Sequence, residues 1–235
     1  MARKDSKHTG NRLLASLSQK DLAPLARHFE VVPLILREGL SKAGRAIPFA
    51  YFPERGMISL VQTLEDGATI EVGLVGREGF FGVPLILGSR SSPVEAMVQG
   101  EGSAIRIPAE ILVAEVSRNE RLRGLLLRYT QAHLSQVTQT AACNGRHGVR
   151  QRLARWLLEA QDRLGGDTVP ISHEFLSFML GCRRAGVSEG LAALKDSGIA
   201  PAGRGAIHVG SRKSLEAASC ECYRTTRAEF RRLLP

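Results

Sequence analysis

The spacing of apolar residues changes character three times along the chain. From Leu13 to Phe29 it is helical and predicts one or two short helices, with Ser18 as the cap before KDLAPLARHF. Over residues 31–107 the apolar runs become short, with turn signals about every ten residues. MISLVQTL (57–64) and ATIEVGLV (68–75) are parted by Glu65-Asp66-Gly67, a strong hairpin signal. VEAMVQ (94–99) and SAIRIP (103–108) read as two further strands split by Gly100-Glu101-Gly102. Many short strands with such punctuation predict a barrel or a double-sheet roll. From Pro108 the period is helical again. A short helix is predicted over 109–116. A long one follows over 119–143, with Leu122, Leu125, Leu126, Tyr129, Leu134, Val137 and Ala141 apolar. A helix of that length between two domains calls for something to cover its second face; a second copy of the chain is the economical answer, and a helix packed wholly on its own sheet is the alternative, since Gln131, Gln136 and Thr140 interrupt any clean heptad. Asn144-Gly145-Arg146-His147-Gly148 reads as a hinge. A helix over 149–164 follows, with Leu153, Trp156, Leu157 and Ala160 on one face.

Residues 171–194, ISHEFLSFMLGCRRAGVSEGLAAL, carry the most information. Two amphipathic stretches are parted by Gly181, placed where a helix ends in a left-handed residue, with Ser172 as N-cap and Glu174 in the first turn. Helix, glycine turn and helix form the helix-turn-helix arrangement, whose second helix enters the DNA major groove. Arg183 and Arg184 fall in the first turn of the second helix, where each cation is unfavourable by roughly 0.3–1 kcal/mol. Gly186 and Gly190 cost about 1 kcal/mol each relative to alanine. A helix selected for stability alone would not carry these residues. A DNA-reading helix accounts for the arginines, because phosphate or the O6/N7 edge of guanine supplies the missing negative partner. The bland alternative is a polar helical hairpin with solvated arginines. Beyond it, SGIAPAGRGAIHVG reads as a two-stranded wing turning at Gly203-Arg204-Gly205, and 214–234 as one final helix.

Composition supports this reading. The chain has 235 residues, 43% hydrophobic and 23% charged, as in a globular protein. The net charge of +9 is uneven: residues 1–142 carry net +3 and residues 143–235 net +6, with 13 arginines among the 15 basic residues of the latter segment. A basic, arginine-rich C-terminal third is the electrostatic footprint expected of a nucleic-acid partner. No apolar run approaches the ~18 residues of a membrane span, and MARKDSKHTGNR has no apolar signal region, so a cytoplasmic protein without a membrane partner is expected.

Two chemical motifs compete with DNA binding. Gly186-Val187-Ser188-Glu189-Gly190 matches G-x-S-x-G, and Asp196 and His208 follow in hydrolase order. That motif needs a strand before the serine and an α/β sheet beneath it, and here a helical pattern precedes it, so no enzyme is expected. Four cysteines occur, Cys143, Cys182, Cys220 and Cys222, too few for a disulfide framework. Cys220 and Cys222, two apart on a helix, would point roughly 200° apart. Buried inert cysteines and no metal are expected, with thiol sensing or metal binding, for which Cys143 and His147 are the only further candidate ligands by type, as the alternative. P-loop and Rossmann fingerprints are absent.

Four segments, LEDGATIEVGLVGREGFFGVPLILG (64–88), CNGRHGVRQRLARWLL (143–158), SFMLGCRRAGVSEGLAAL (177–194) and LEAASCECYR (215–224), together resemble the Crp/Fnr superfamily of bacterial transcription regulators. The resemblance covers nearly the whole chain and implies an α+β protein. It would have a cyclic-nucleotide-binding-like sensory β-roll (12–118), a long connecting and dimerisation helix (119–143), and a C-terminal winged helix-turn-helix domain (147–235). It further implies a homodimer joined through Leu122, Leu126, Tyr129 and Val137. Such a dimer would read a two-fold symmetric site on double-stranded DNA, with RNA polymerase and a small-molecule effector as further candidate partners.

Carried over residue by residue, Arg184 matches the family's first base-reading arginine. Ala185 stands where the family has glutamate, and Glu189 where it has a later arginine, so Glu189 becomes a candidate acceptor for a cytosine amino group. Arg183, Ser188, Ser172 and Arg204 are the candidate phosphate contacts. In the sensory domain, Phe81-Gly82 is followed by Val83-Pro84, so the carboxylate that holds the ribose of cyclic AMP is missing. Arg90-Ser91-Ser92 resembles the phosphate-binding pair but lies too close to Gly82, and an exposed hairpin tip is the competing reading. Cyclic AMP is therefore expected to bind poorly, leaving the effector open. An iron–sulfur cluster is not expected because no cysteine precedes Cys143, and His8 and His28 alone do not argue for haem. No resident cofactor is expected. A ligand-binding or thiol-sensing module with weak DNA binding is the alternative function, with Gly186 and Gly190 as signs of a helix-turn-helix drifted out of use.

Overall fold

The computed structural model describes residues 9–195, 198–201 and 205–235. The chain forms two compact units. The first takes the chain up to Leu60, Leu74–Leu134 and Phe230–Pro235; the second takes Val61–Gly73 and Ser135–Glu229.

The first unit opens with α1 (Arg12–Ala15) and α2 (Gln19–Ala26). Ser18 caps α2 as predicted, its hydroxyl accepting from Asp21 N. The strands are β1 (Glu30–Leu34), β2 (Gly39–Ser41), β3 (Phe49–Thr63), β4 (Thr69–Val75) and β5 (Glu95–Pro108), the end of β3 from Val61 and β4 as far as Gly73 being counted with the second unit, with the short α3 (Val83–Ile86) before β5 and α4 (Ala109–Arg118) after it. They form a sheet in the order β1-β5-β3-β4, with β2 also pairing β5. β1 runs antiparallel to β5 from Glu30↔Arg106 to Leu34↔Gly102. The Asp66-Gly67 turn is as predicted, with Gly67 at φ 82°.

Residues 94–108 depart from the prediction. Gly100-Glu101-Gly102 is no turn but the middle of one 14-residue strand, β5. The glycines serve a close approach instead: a Cβ on Gly102 would stand 2.3 Å from the Arg55 carbonyl oxygen, and one on Gly56 2.4 Å from that of Gly100.

α5 (Glu120–Arg146) is the predicted long helix, and its first half belongs to the first unit. There the core is aromatic. Phe52 stacks on Phe80 at 5.1 Å, Phe80 meets Tyr129 of α5 at 5.2 Å, and Phe230 closes edge-on over Tyr129 at 6.3 Å. Leu122, Leu126 and Tyr129 are thus buried inside their own protomer, which corrects their assignment to a dimer interface. They match the core-facing stripe of a helix packed on its own sheet, a stripe that sequence spacing alone cannot tell from a dimer seam. Val137 is half-buried and remains available.

α5 also runs further than expected. It passes through Asn144 and Gly145 to Arg146, so the break before α6 (Val149–Leu164) narrows to His147-Gly148. In the second unit α6 is the central element, with Trp156 and Leu157 fully buried. Around it lie β6 (Thr168–Val169), α7 (His173–Leu180), α8 (Arg184–Ala193), β7 (Ile199–Pro201), β8 (Ile207–Val209), α9 (Arg212–Ala218) and α10 (Cys222–Leu233). β6, β8 and β7 form a three-stranded antiparallel sheet. The wing is therefore present, and its tip, including Arg204, lies outside the described residues. The single C-terminal helix expected over 214–234 is two helices, broken at Ser219-Cys220-Glu221.

Candidate nucleic-acid interface

The helix-turn-helix is held by specific local contacts. Ser172 Oγ accepts from Phe175 N at 3.1 Å, capping α7. α7 ends at Gly181 in the left-handed conformation, φ 55° and ψ 47°. The Leu180 carbonyl, left without an intrahelical donor, receives Nη2 of Arg152 from α6. Burial lowers the Arg152 pKa, and the guanidinium lies at the negative end of the α7 dipole, where a cation is favoured. Arg155 is more deeply placed. Its Nη1 lies 3.0 Å from Glu159 Oε1 with both side chains buried. Burial pulls the Arg155 pKa down, but the Glu159 carboxylate and nearby Cys143 outweigh it and hold the guanidinium protonated.

α8 divides cleanly into two faces. Val187, Gly190 and Leu194 are buried, with Gly186 half-buried beside them, while Arg184, Ala185, Ser188, Glu189 and Ala192 are exposed. The glycines turn inward: a Cβ on Gly190 would lie 3.3 Å from Leu153 Cδ2 and 3.6 Å from Val149 Cγ1, both on α6. One on Gly186 would meet only Val149 Cγ2, at 3.9 Å. Close helix–helix packing thus accounts for Gly190, whereas nothing in the packing requires a glycine at position 186. Gly190→Leu is expected to cost about 1–3 kcal/mol by overpacking this contact. Gly186→Ala should raise stability by up to about 1 kcal/mol. Urea denaturation of the two variants reads both.

Arg183 is the N-cap residue of α8 and makes no side-chain cap, so it stands one position before the first helical turn that the sequence suggested. The first N–H groups of α8 therefore receive no capping oxygen from Arg183 and, with exposed Arg183 and Arg184, form an end suited to phosphate. Ser188 Oγ lies 3.3 Å from Nδ1 of half-buried His173. His173 escaped the sequence reading because a histidine at a helix start carries no signal of its own, but its contact joins the start of α7 to the middle of α8. The whole G-x-S-x-G run lies within α8, so the strand-to-helix elbow of a hydrolase is not formed; Asp196 lies outside the described residues.

The residues carried over to an effector site are differently placed. Phe81 is buried, pairs with Tyr51 across a β-bridge and packs its ring against it at 6.4 Å. Gly82 is also buried, and a Cβ on it would stand 3.0 Å from Ala50 Cβ. Arg90 is exposed. Around it the backbone is tied to residues 44–47, Ile47 N donating to the Arg90 carbonyl and Gly44 N to that of Ser92, while Ser92 Oγ accepts from Val94 N.

The family model of the cyclic nucleotide-binding domain matches residues 37–119, and that of the Crp-like helix-turn-helix domain residues 151–218. The chain belongs to the Crp/Fnr superfamily. Solved structures share its fold. FixK2 from Bradyrhizobium japonicum is 18% identical, with a TM-score of 0.70 over 82% of this chain and 98% of that one. A CRP-family transcriptional regulator from Thermus thermophilus is 21% identical, with a TM-score of 0.66 over 80% and 96%. The c-di-GMP-responsive global regulator CLP from Xanthomonas campestris is 18% identical, with a TM-score of 0.65 over 83% and 100%. No curated protein matches the sequence. The chain thus has the fold of a transcription regulator with a helix-turn-helix for DNA. Among the described residues, no helix is long and apolar enough to cross a membrane.

Proposed function

We propose that two copies of this chain bind a two-fold symmetric DNA site in the cytoplasm and regulate transcription from it, with Arg184 reading a guanine in each half-site. The division of α8 into a packed and an exposed face carries the reading. The exposed face holds an arginine, a serine and a glutamate within two turns, which is the equipment for base-edge and phosphate contacts. Glu189 would accept from a cytosine amino group, and Arg183, Ser188 and the capped start of α7 at Ser172 would hold phosphates. Half-sites would be centred one helical turn, about 34–36 Å, apart.

The partner copy is supported by α5. Leu127 and Leu134, 43% and 56% exposed, are seven residues apart, and half-buried Val137 continues their line. A seven-residue apolar repeat left uncovered on a long helix fits a paired helix. For the sensory domain, Val83-Pro84 at the start of α3 offers no carboxylate to a ribose, so cyclic AMP would be a poor effector. RNA polymerase would be met at the bound promoter.

Arg184→Ala is expected to weaken binding by roughly 1–3 kcal/mol and to relax preference at one base position. Fluorescence anisotropy on the selected operator, over a salt series, measures both. Unchanged selectivity in this variant would remove Arg184 from the reading role. Binding that is flat with salt would count against DNA recognition altogether, since phosphate contacts impose a steep salt dependence.

A further inference from the structure

Away from the helix-turn-helix, the second unit brings together Cys143, His147, Cys220 and Cys222, with one ligand-type atom of each within 4.8 Å of the others. We propose that these four residues bind a single zinc ion. The arrangement comes from three local features. Cys143 lies in the last turn of α5 and His147 four residues later, one helical turn on, with His147 N still bonded to the Cys143 carbonyl. Cys220 lies in the break between α9 and α10, and Cys222 is the first residue of α10. That break removes the objection that two cysteines two apart must point in opposite directions, because Cys220 is not helical.

The distances suit one small ion. Zn–S bonds of about 2.3 Å and a Zn–N bond of about 2.0–2.1 Å in a tetrahedron place sulfurs about 3.8 Å apart and sulfur from nitrogen about 3.5 Å. Cys143 Sγ and Cys220 Sγ stand 3.5 Å apart, and Cys222 Sγ and His147 Nδ1 3.5 Å. A disulfide would require about 2.05 Å. An iron–sulfur cluster, whose ligands sit on different irons, would require the sulfurs more widely spread. Three thiolates and one imidazole form a Cys₃His donor set, the composition of closed structural zinc sites.

The surroundings fit as well. The other ring nitrogen of His147, Nε2, lies 3.4 Å from Glu221 Oε1, the carboxylate–imidazole pairing that orients a metal-bound histidine. Gln139 Nε2 donates to Cys222 Sγ at 3.1 Å. The three cysteines are buried, while His147 and exposed Glu221 give the ion a path from solvent. The corner carrying Cys220 and Cys222 is itself fixed to α6, where Arg212 bridges Asp162 at 2.7 Å and Tyr223 Oη donates to Asp162 at 2.8 Å. Zinc would fasten the end of α5 to that corner.

The test is metal analysis of the full-length protein grown with zinc, together with cobalt(II) substitution. The expected results are about one zinc per chain, released by a mercurial thiol reagent, and a cobalt spectrum with tetrahedral ligand-field bands and thiolate charge transfer. Cys143→Ser and His147→Ala should lose stoichiometric metal, while Cys182→Ser keeps it. Glu221→Gln, on the surface, should fold normally and lower zinc affinity by roughly 10–100-fold. Zinc-free protein with an octahedral cobalt spectrum, or a Cys143–Cys220 disulfide in protein purified without oxygen, would overturn the proposal.

Discussion

Arg155→Ala is expected to destabilise the second unit by about 3–5 kcal/mol, the loss typical when one partner of a buried ion pair is removed. The Arg155–Glu159 pair is 3.0 Å apart, with its side chains 5% and 6% exposed. Truncation leaves the Glu159 carboxylate enclosed without its guanidinium, and the cavity adds to the cost. Two companion variants separate these causes. Glu159→Gln in the Arg155→Ala background removes the stranded charge and should restore part of the loss. Arg155→Met with Glu159→Leu replaces the pair by apolar groups and should come close to the parent, since such exchanges are often neutral or better. Urea denaturation followed by Trp156 fluorescence reads all three. If the single variant lost less than about 1 kcal/mol, the pair would have to be open to water in solution.

Leu127→Glu combined with Leu134→Glu is expected to leave a folded monomer whose operator affinity falls by about 10²–10⁴-fold, the range over which linked sites exceed separate ones. Both leucines are exposed within the protomer, so carboxylates there meet water in the monomer and repel one another only across a paired helix. Analytical ultracentrifugation gives the oligomeric state, and circular dichroism shows that the fold survives. A double variant that remains dimeric would move the seam elsewhere. Leu122→Ala and Leu126→Ala form the contrast: buried in the aromatic core of the first unit, they should lower stability by roughly 2–5 kcal/mol.

The sequence showed the helical elements of the helix-turn-helix well because their signals are local. Ser172, Gly181 and the apolar spacing from Phe175 to Leu194 each act within a few residues, and α7, its left-handed cap and α8 followed. What it hid depends on contacts distant along the chain. Gly100 and Gly102 look like a turn until β3 lies against β5. The stripe Arg152, Arg155, Glu159, Arg163 has the spacing of a solvated helix face, yet all four are buried. The inward face of α5 was mistaken for a related reason: Leu122, Leu126 and Tyr129 carry as strong a period as Leu127 and Leu134, and only the aromatic packing around Phe80 shows which set is buried. The relative directions of Cys220 and Cys222 were hidden because Ser219 to Glu221 breaks a helix that their spacing alone made continuous.

The two faces of α8 bear on how such a regulator changes over generations. Val187, Gly190 and Leu194 bind the helix to its own domain, while positions 184, 185, 188, 189 and 192 are exposed, Ser188 alone among them being tied to α7 through His173. Mutations at the outward positions would therefore alter any promoter preference read by this face with little penalty in stability. If that face reads DNA as proposed, a lineage carrying this scaffold would be free to acquire new target genes by single substitutions there, whereas a bulky side chain at Gly190 would crowd Leu153 and Val149 of α6 and cost stability.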